Sequence, residues 1–256
     1  GYGLIVRDGA TARLQGVRLH ANRIVGLIVR DPWSEVHAVG VRVDGTRGSG
    51  STGQWDKGVF VLPYGRLFLH GSVVEDNREA GVRVQGIDSR FRSAGLLVRY
   101  NRADANGQGG AGLLVTAQGA SVLEGARFVG NAGANAVVSE AWLMATSSVF
   151  AHALVGQAKT LAGAEGKVAY GVAAHGPHGG SIRRSVLAAN PSSGLATGAC
   201  GTLDVSQNLL MGNGAALLGG CVPPGFVAKN AAVGEGSAVE ATEGGPPLPG
   251  IEGDDP

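Results

Sequence analysis

Charged residues are scarce in this sequence, and their signs nearly cancel. Asp, Glu, Lys and Arg make up 16% of the 256 residues, and the formal net charge is +1. An ordinary globular chain is about one quarter charged. The surface therefore has no basic field to attract nucleic acid and no polybasic patch for a membrane surface. We expect no nucleic-acid partner.

Long apolar runs are also absent. No uninterrupted stretch approaches the roughly 18 apolar residues that a membrane-spanning helix needs, so the sequence predicts no membrane span. Apolar residues still make up 44% of the chain. That share is enough for a continuous core and too high for a disordered chain.

The sequence lacks the short motifs that mark common catalytic and cofactor sites. It contains no G-x-S-x-G, H-E-x-x-H, C-x-x-C or Walker pattern. Gly48 to Gly53 match G-x-G-x-x-G, but a further strand pattern follows them instead of the helix that a dinucleotide site requires. His175 and His178 are too few for a metal site without a third ligand. We expect no cofactor and no metal.

Glycine, by contrast, is abundant and follows a period. There are 45 glycines, and the hexapeptide GLIVRD occurs at Gly3 and again at Gly26. The step from Gly3 to Gly26 is 23 residues, and the other coils follow at this step or at a longer one. The coil starts are Gly3, Gly26, Gly58, Gly81, Gly112, Asn135, Gly171, Gly194 and Leu217. A sustained period of this kind is typical of a solenoid.

Each coil carries three short inward-facing stretches. Apolar residues two positions apart follow each start, as in Leu27 and Val29, and this period predicts a strand. A recurring Asn, with apolar residues eight and three positions before it, marks two more strands; it occurs as Asn22, Asn77, Asn101, Asn131, Asn190 and Asn213. Hairpin signals and helical patterns are missing, so we expect parallel pairing between coils.

These coils resemble the right-handed parallel β-helix repeat of pectate-lyase-like proteins. Asp204 to Leu217 and Glu75 to Val84 come closest to that repeat, and the resemblance covers roughly residues 3 to 235. It implies an all-β, right-handed parallel β-helix of about nine coils with three parallel sheets. It implies little about function, because the repeat occurs in lyases, hydrolases, epimerases, adhesins and proteins without known activity. We divide the chain into a β-helix domain, 1–233, and a Pro/Gly-rich tail or linker, 234–256.

The recurring Asn has a structural interpretation and a functional one. Stacked Asn side chains can form an amide ladder inside the turn, where Asn also tolerates left-handed geometry. A row of amides could instead face a sugar. We favour the ladder, and we expect Asp44 and His152 to take the place of Asn in two of the longer coils.

The longer coils all insert their extra residues before the next coil start. The three insertions, 46–57, 102–111 and 156–170, should leave one edge of the solenoid and wall off two notches roughly 10 Å wide. Aromatic, amide and charged residues there suit carbohydrate recognition. The candidate ligand-binding residues are Trp55, Asp56, Lys57, Arg83, Asp104, Tyr170 and His175. The alternative is that these are surface insertions without a ligand.

The sequence gives only weak support for catalysis. Lyases that resemble this fold hold Ca²⁺ with a carboxylate cluster, and related hydrolases use neighbouring Asp residues. Here the repeat region contains no adjacent Asp pair, and Asp254 and Asp255 lie in the tail. The catalytic residues are therefore unknown, and a polysaccharide lyase or glycoside hydrolase that uses the same edge is the alternative function.

The only two cysteines, Cys200 and Cys221, lie on successive coils. Equivalent points on stacked coils are about 4.8 Å apart, within the range for a bridged pair. We expect a disulfide, and hence an extracellular or cell-surface location; two buried free thiols are the alternative. The leading prediction is a non-catalytic scaffold or binding module that recognises carbohydrate or a surface partner through the long-loop edge.

Overall fold

The structure is a computed structural model that describes residues 1–47, 56–104, 107, 109–159, 165–176, 178–198, 201–223, 225–234 and 239–241. Trp55 and Cys200 lie outside these residues, as do most of the insertion 46–57 and nearly all of the predicted tail. In the described part, no helix has the length and apolar character needed to cross a membrane.

The described residues form short strands and one helix. The first strands are β1 (Leu4–Val6), β2 (Thr11–Gln15), β3 (Arg18–His20), β4 (Val25–Val29), β5 (Glu35–Val39), β6 (Arg42–Asp44), β7 (Lys57–Val61), β8 (Arg66–His70), β9 (Val73–Glu75) and β10 (Ala80–Gln85). The middle strands are β11 (Arg90–Ala94), β12 (Leu97–Arg99), β13 (Ala111–Thr116), β14 (Ala120–Glu124), β15 (Arg127–Val129), β16 (Ala134–Ser139), β17 (Trp142–Thr146), β18 (Val149–Ala151), β19 (Gly156–Lys159) and β20 (Glu165–Val168). The last elements are β21 (Tyr170–His175), β22 (Gly179–Arg183), β23 (Val186–Ala188), β24 (Ser193–Thr197), β25 (Thr202–Ser206), β26 (Leu209–Met211), β27 (Leu217–Gly219), α1 (Phe226–Lys229), β28 (Ala231–Val233) and β29 (Val239–Ala241).

Three parallel sheets wind around one core, so the chain is a parallel β-helix of about nine coils, as the repeat predicts. Sheet A has the order β1-β4-β7-β10-β13-β16-β21-β24-β27-β29. Sheet B has the order β2-β5-β8-β11-β14-β17-β22-β25, and sheet C runs from β3 through β6, β9, β12, β15, β18, β23 and β26 to β28. The antiparallel pair β19–β20 stands apart from these sheets.

The core consists of the side chains that the period of two predicts to point inward. Leu27 and Val29 from sheet A, Leu69 from sheet B and Val98 from sheet C all belong to one buried cluster that runs along the solenoid. Equivalent side chains stack on each other across coils; Phe128, for example, stacks on the Phe150 ring with centroids 5.3 Å apart. Truncating such a side chain should cost about 3 to 5 kcal/mol.

In most coils two left-handed residues flank the strand of sheet C, and others lie between sheets A and B, such as Asp8 and Gly9. One precedes each strand of sheet C and is often glycine, as at Gly71 (φ 52°), although Arg184 (φ 49°) holds the same place in a later coil. The other directly precedes the ladder position, as Tyr100 (φ 56°) precedes Asn101. The left-handed geometry expected of the Asn itself therefore belongs to the residue before it.

The Asn side chains form a buried ladder. Asn101 Oδ1 accepts hydrogen bonds from the backbone N–H and the side-chain amide of Asn77, at 3.0 and 3.3 Å. Asn131 receives the same pair from Asn101, and Asn213 receives it from Asn190. The amides of Asn77, Asn131, Asn190 and Asn213 also donate to a backbone carbonyl of the preceding coil, as Asn131 does to Val98 O at 3.2 Å. The structural interpretation of the Asn positions is thus confirmed.

The two predicted substitutes in this ladder are wrong by one or two positions. Strand register places Thr46, not Asp44, opposite Asn77, and the Thr46 N–H donates to Asn77 Oδ1 at 3.1 Å. Ala153, not His152, lies between Asn131 and Asn190 in the ladder. The reason is the left-handed corner: His152 has φ 53° and occupies the turn before the ladder position.

The C-terminal coils contain two features that bear on the predictions. The chain from Ala231 onward continues the solenoid, because β28 pairs with β26 and β29 pairs with β27. β29 thus lies inside the segment predicted as a tail, and the division at 233 stays a prediction. No described cysteine is free, and Thr197 Oγ1 hydrogen-bonds to the carbonyl of Cys221. Because Cys200 lies outside the described residues, its bridge to Cys221 also stays a prediction.

Candidate functional site

The three insertions leave the solenoid at the same corner. They connect β6 to β7, β12 to β13 and β18 to β21, so each lies between a strand of sheet C and the next strand of sheet A. The second is narrowed by an antiparallel bridge between Ala103 and Gly109, and the third contains the β19–β20 hairpin. The predicted common edge is therefore present.

Lys57 and Tyr170 do not lie at exposed loop tips, and that expectation is wrong. Each is the first residue of a sheet A strand, and their exposed fractions are 0% and 1%. Both occupy the outer face of sheet A, which is covered: Val168 of β20 packs with Tyr170 and Ala134 in a second buried cluster. Burial raises the pKa of the Tyr170 hydroxyl. Tyr170 thus offers no open ring face on which a sugar could stack.

Lys57 and Arg83 both form an ion pair with Glu79, a residue that the sequence analysis did not identify. Glu79 Oε2 lies 2.7 Å from Lys57 Nζ, and Glu79 Oε1 lies 2.9 Å from Arg83 Nη1. The buried Asp56 N–H donates to Glu79 Oε2 at 3.3 Å. Both cations also lie over the Phe60 ring, at 5.0 and 5.5 Å from its centroid.

The Glu79 cluster anchors the end of the insertion 46–57, because Asp56 and Lys57 both contact Glu79. Glu79 sits at a left-handed corner, with φ 55°, and joins β7 to β10. Removing one partner of a buried ion pair typically costs about 3 to 5 kcal/mol, because a charge is left uncompensated. The cluster brings three predicted residues together, namely Asp56, Lys57 and Arg83, but inside the fold and not on its surface.

His175 faces outward from sheet A, as predicted, yet it is also covered. Its exposed fraction is 2%, and neither ring nitrogen has a hydrogen-bond partner among the described residues. Burial, with a smaller contribution from His178, lowers its pKa to about 4. In register with it are Ser139 and Thr116, and the buried Thr116 Oγ1 likewise lacks a partner in the described part. His175 is therefore a neutral, enclosed imidazole at ordinary pH.

Asp104, the remaining described candidate, is half-buried in the second insertion. Its carbonyl accepts a hydrogen bond from the Gly107 N–H at 3.2 Å, which closes a local turn. Of the candidates in the described part of the chain, Asp56, Lys57 and Arg83 are thus brought together at Glu79.

Two carboxylates that are far apart in sequence become neighbours on sheet C. Asp44 and Glu75 are paired in register, with His20 and Arg99 as their outer neighbours. Arg18 binds Asp44 through two nitrogens, at 2.9 and 2.8 Å, Arg99 binds Glu75 at 2.6 Å, and Arg42 contacts both carboxylates.

The Asp44 carboxylate is suited to an ion-pair ladder and not to general acid catalysis. The Arg18 hydrogen bonds, with His20 contributing less, hold the pKa of the Asp44 carboxyl below its usual range. A general acid needs the opposite, a carboxyl whose pKa is raised towards the working pH. Asp44 and Glu75 therefore hold adjacent coils together in the same way as the paired charges around them.

Sheet B has an open outer face, which the sequence interpretation overlooked. Its outward side chains form columns across the strands, and the central column contains Arg13, His37, Phe68, Arg92, Val122, Met144, Ser181 and Asp204. We call this surface the sheet B face. It carries three adjoining grooves of about 350, 570 and 450 Å³.

The third groove is built around Trp142. The Trp142 side chain is 46% exposed and lies against Gly179 of the next strand, where a Cβ would collide with the indole ring. Gln118, Glu140, His178 and Thr202 line the same groove. A half-exposed indole surrounded by an amide, a carboxylate and a hydroxyl combines an apolar platform with several polar partners.

The other two grooves flank a ridge of Phe68, Arg92 and Val122, which line both. His37 stacks on Phe68, with ring centroids 4.7 Å apart and planes within 4°. This contact fixes the Phe68 ring on the surface. The sequence signal for this face lies in the outward positions of two strands: Arg66, Phe68 and His70 alternate in RLFLH, and Arg90 and Arg92 alternate in RFRSA.

In the part of the chain that the structure describes, no three His, Cys, Asp or Glu residues are grouped so that they could hold a metal ion. Comparison of the chain with protein-family models, with curated proteins and with solved structures finds no match. The class is therefore defined by the fold, a parallel β-helix with an open face on one sheet. Membership of the pectate-lyase-like superfamily stays a prediction.

Proposed function

We propose that this β-helix is a non-catalytic binding module that recognises carbohydrate, outside the cell or at its surface. The observation that carries the proposal is the Trp142 groove. A sugar presents an apolar C–H face and a rim of hydroxyls, and the groove offers an exposed indole beside Gln118, Glu140 and Thr202. Such a pairing of apolar platform and polar rim is typical of small-ligand sites.

The shape of the sheet B face supports an extended ligand. The three grooves adjoin one another, because the first two share Phe68 and Arg92 and the last two share Gln118. They extend from β5 to β25, across seven strands. At about 4.8 Å between strands, this is roughly 29 Å, enough for several sugar units along the solenoid axis.

The position of the site is revised from the loop edge to the sheet B face. Lys57, Tyr170 and His175 of sheet A are buried, whereas the Trp142 groove is open. The other parts of the sequence-based prediction are kept: a carbohydrate ligand, an extracellular or cell-surface location, and no catalytic activity. A polysaccharide lyase or hydrolase is the competing function, and the same experiment separates the two.

The test is Trp142→Ala on a glycan array, with Trp33→Ala as the matched control. Trp33 is 79% exposed and lies at a corner outside the three grooves. We expect Trp142→Ala to weaken binding at least tenfold, as loss of a central aromatic anchor does. We expect both variants to keep the wild-type Tm within a few degrees.

Two results would contradict the proposal. Glycan binding by Trp142→Ala at wild-type affinity would exclude the Trp142 groove as the sugar site. New reducing ends or unsaturated products, measured on the bound glycans with Ca²⁺ present, would show that the protein cleaves its ligand. The function would then be enzymatic.

A further inference from the structure

The 570 Å³ groove of the sheet B face has an unusual balance of charge. Arg66, Arg90 and Arg92 line it, and Asp88 is the one carboxylate among its lining residues. This excess is local, because the chain as a whole is nearly neutral. The groove is therefore a cationic site on a protein with little net charge.

Strand geometry directs the three guanidinium groups to the same place. Arg66 and Arg90 are register partners on β8 and β11, and Arg92 follows Arg90 by two residues. Residues two apart on a strand share a face, about 6.6 Å from each other, and register partners are about 4.8 Å apart. All three side chains thus leave the sheet within a small area.

Two of these arginines have no carboxylate partner in the described part of the chain. Arg90 lies 3.5 Å from Asp88, and both side chains are more than half exposed. Arg66 and Arg92 form no ion pair with any described residue. Glu35 is the register partner of Arg66 on the preceding strand, but its carboxylate contacts His37. Glu124 lines the adjoining groove together with His70. The guanidinium groups of Arg66 and Arg92 are therefore available to a ligand, and Arg90 is shared with the exposed Asp88.

The chemistry of these groups selects a class of anion. Guanidinium is a planar fork of N–H donors that matches the oxygens of carboxylate, phosphate and sulfate. Three forks around one groove can use more acceptors than the two oxygens of a carboxylate. A phosphate or sulfate monoester presents three terminal oxygens.

We propose that this groove binds a phosphate or sulfate ester carried by the glycan that the sheet B face recognises. The inference deepens the proposed function and rests on it. Gln118 lines both this groove and the Trp142 groove. From β11 to β17 is two strand spacings, or about 10 Å. One ligand can therefore place a sugar on Trp142 and an ester among the arginines about two sugar units away.

The experiment compares dextran, carboxymethyl dextran and dextran sulfate of equal chain length, by calorimetry or biolayer interferometry. The proteins are the wild type, Arg66→Gln, Arg92→Gln and Trp142→Ala. The matched control is Arg127→Gln, which removes an exposed arginine from β15 on sheet C. All variants are first compared by circular dichroism and Tm, so that a folding defect is recognised.

We expect the wild type to prefer dextran sulfate over carboxymethyl dextran, and both over dextran. Arg66→Gln and Arg92→Gln should each weaken dextran sulfate binding by about tenfold to hundredfold, since each removes charge-assisted hydrogen bonds. Their binding of neutral dextran should fall less than their binding of dextran sulfate, because dextran carries no ester for the guanidinium groups to bind. Arg127→Gln should behave like the wild type, and raised salt should reduce binding of the sulfated polymer most.

The outcomes separate this inference from the proposed function. Equal binding of dextran and dextran sulfate by the wild type would overturn the ester site and leave carbohydrate recognition standing. Equal losses in Arg92→Gln and Arg127→Gln would also overturn it, because attraction would then be non-specific. Loss of sulfate preference in the arginine variants, with no effect of Trp142→Ala on any polymer, would support the ester site and contradict the sugar site at Trp142.

Discussion

One coil has an asparagine, Asn135, at its start, where most coils have glycine, and a small residue, Ala153, at its ladder position, where most coils have asparagine. In most coils a Gly begins sheet A and an Asn ends the coil, and the two positions touch: a Cβ on Gly112 would lie 2.7 Å from the Asn131 amide. In the sixth coil the start is Asn135 and the ladder position is Ala153. The Asn135 side chain fills the space, accepts from Asn131 Nδ2 at 2.9 Å and donates to Asn190 Oδ1 at 3.2 Å.

The double substitution Asn135→Gly with Ala153→Asn should therefore restore an ordinary ladder. Asn135→Gly alone loses three side-chain hydrogen bonds, the third being to Ala151 O. At about 1 kcal/mol each, this costs about 3 kcal/mol. Ala153→Asn alone places a second side chain in filled space, at about 1 to 3 kcal/mol. The pair together should lie within about 1 kcal/mol of the wild type, whereas the single losses sum to at least about 4 kcal/mol, so the coupling is at least about 3 kcal/mol.

Urea unfolding followed by circular dichroism measures this cycle. The unfolding slope of each variant is compared first, because solenoids do not always unfold as one unit. If the double variant is no more stable than Ala153→Asn alone, the exchange of roles is wrong. Additive losses would show that the two side chains do not compete for one space.

Two further predictions concern His175 and the cysteines. The folded pKa of His175, about 4, lies below the ordinary value near 6.5, so the folded state binds fewer protons and stability should fall as pH drops from about 6.5 to about 4. His175→Gln should flatten that part of the curve of unfolding free energy against pH. A curve that is unchanged in the variant would contradict the buried neutral ring. Mass spectrometry without reductant should find Cys200 and Cys221 bridged, and reduction should cost about 3 kcal/mol for a loop of about 20 residues; two alkylatable thiols would contradict the bridge.

Most of the fold could be predicted from the sequence because the same pattern of residues recurs in each coil. The period of two correctly placed Leu27 and Val29 inside, and the spacing from the recurring Asn at the end of the coil did the same for Leu69. The sequence alignment of the coils failed where a coil has no Asn at the ladder position. Thr46 and Ala153 could not be identified as ladder positions, because the left-handed residue before each of them, not the side chain itself, sets the register.

A second polar row was missed for a related reason. Ser148, Ser185 and Asn208 follow the left-handed corner between sheets B and C, where Ser185 Oγ accepts from the Ser148 N–H at 3.1 Å and Asn208 Oδ1 accepts from the Ser185 N–H at 2.9 Å. Leu96 and Ala126 occupy the same position in other coils. A position that alternates between apolar and small polar residues shows no clear pattern in a single sequence.

The site was harder to predict than the fold because outward residues carry no fixed meaning. Lys57 and Tyr170 looked exposed on the basis of polarity and insertion length, but the outer face of sheet A is covered. Trp142 was not among the residues that the sequence patterns singled out. Only strand register shows that it lies beside Gln118 and Thr202, which are both far from it in sequence.

The direction of the Asn ladder limits how such a molecule can change length. The amide of each rung donates to a carbonyl of the coil before it, as Asn213 does to Leu187 O at 2.8 Å, and its oxygen accepts from the rung before it. Loss of part of a coil would shift donors away from acceptors and turn inward side chains outward. Removal of a whole coil would bring an equivalent rung into the same place. Insertions and deletions should therefore be tolerated as complete coils, such as the step from Asn190 to Asn213, or at the corner before sheet A where the ladder ends and the long loops begin.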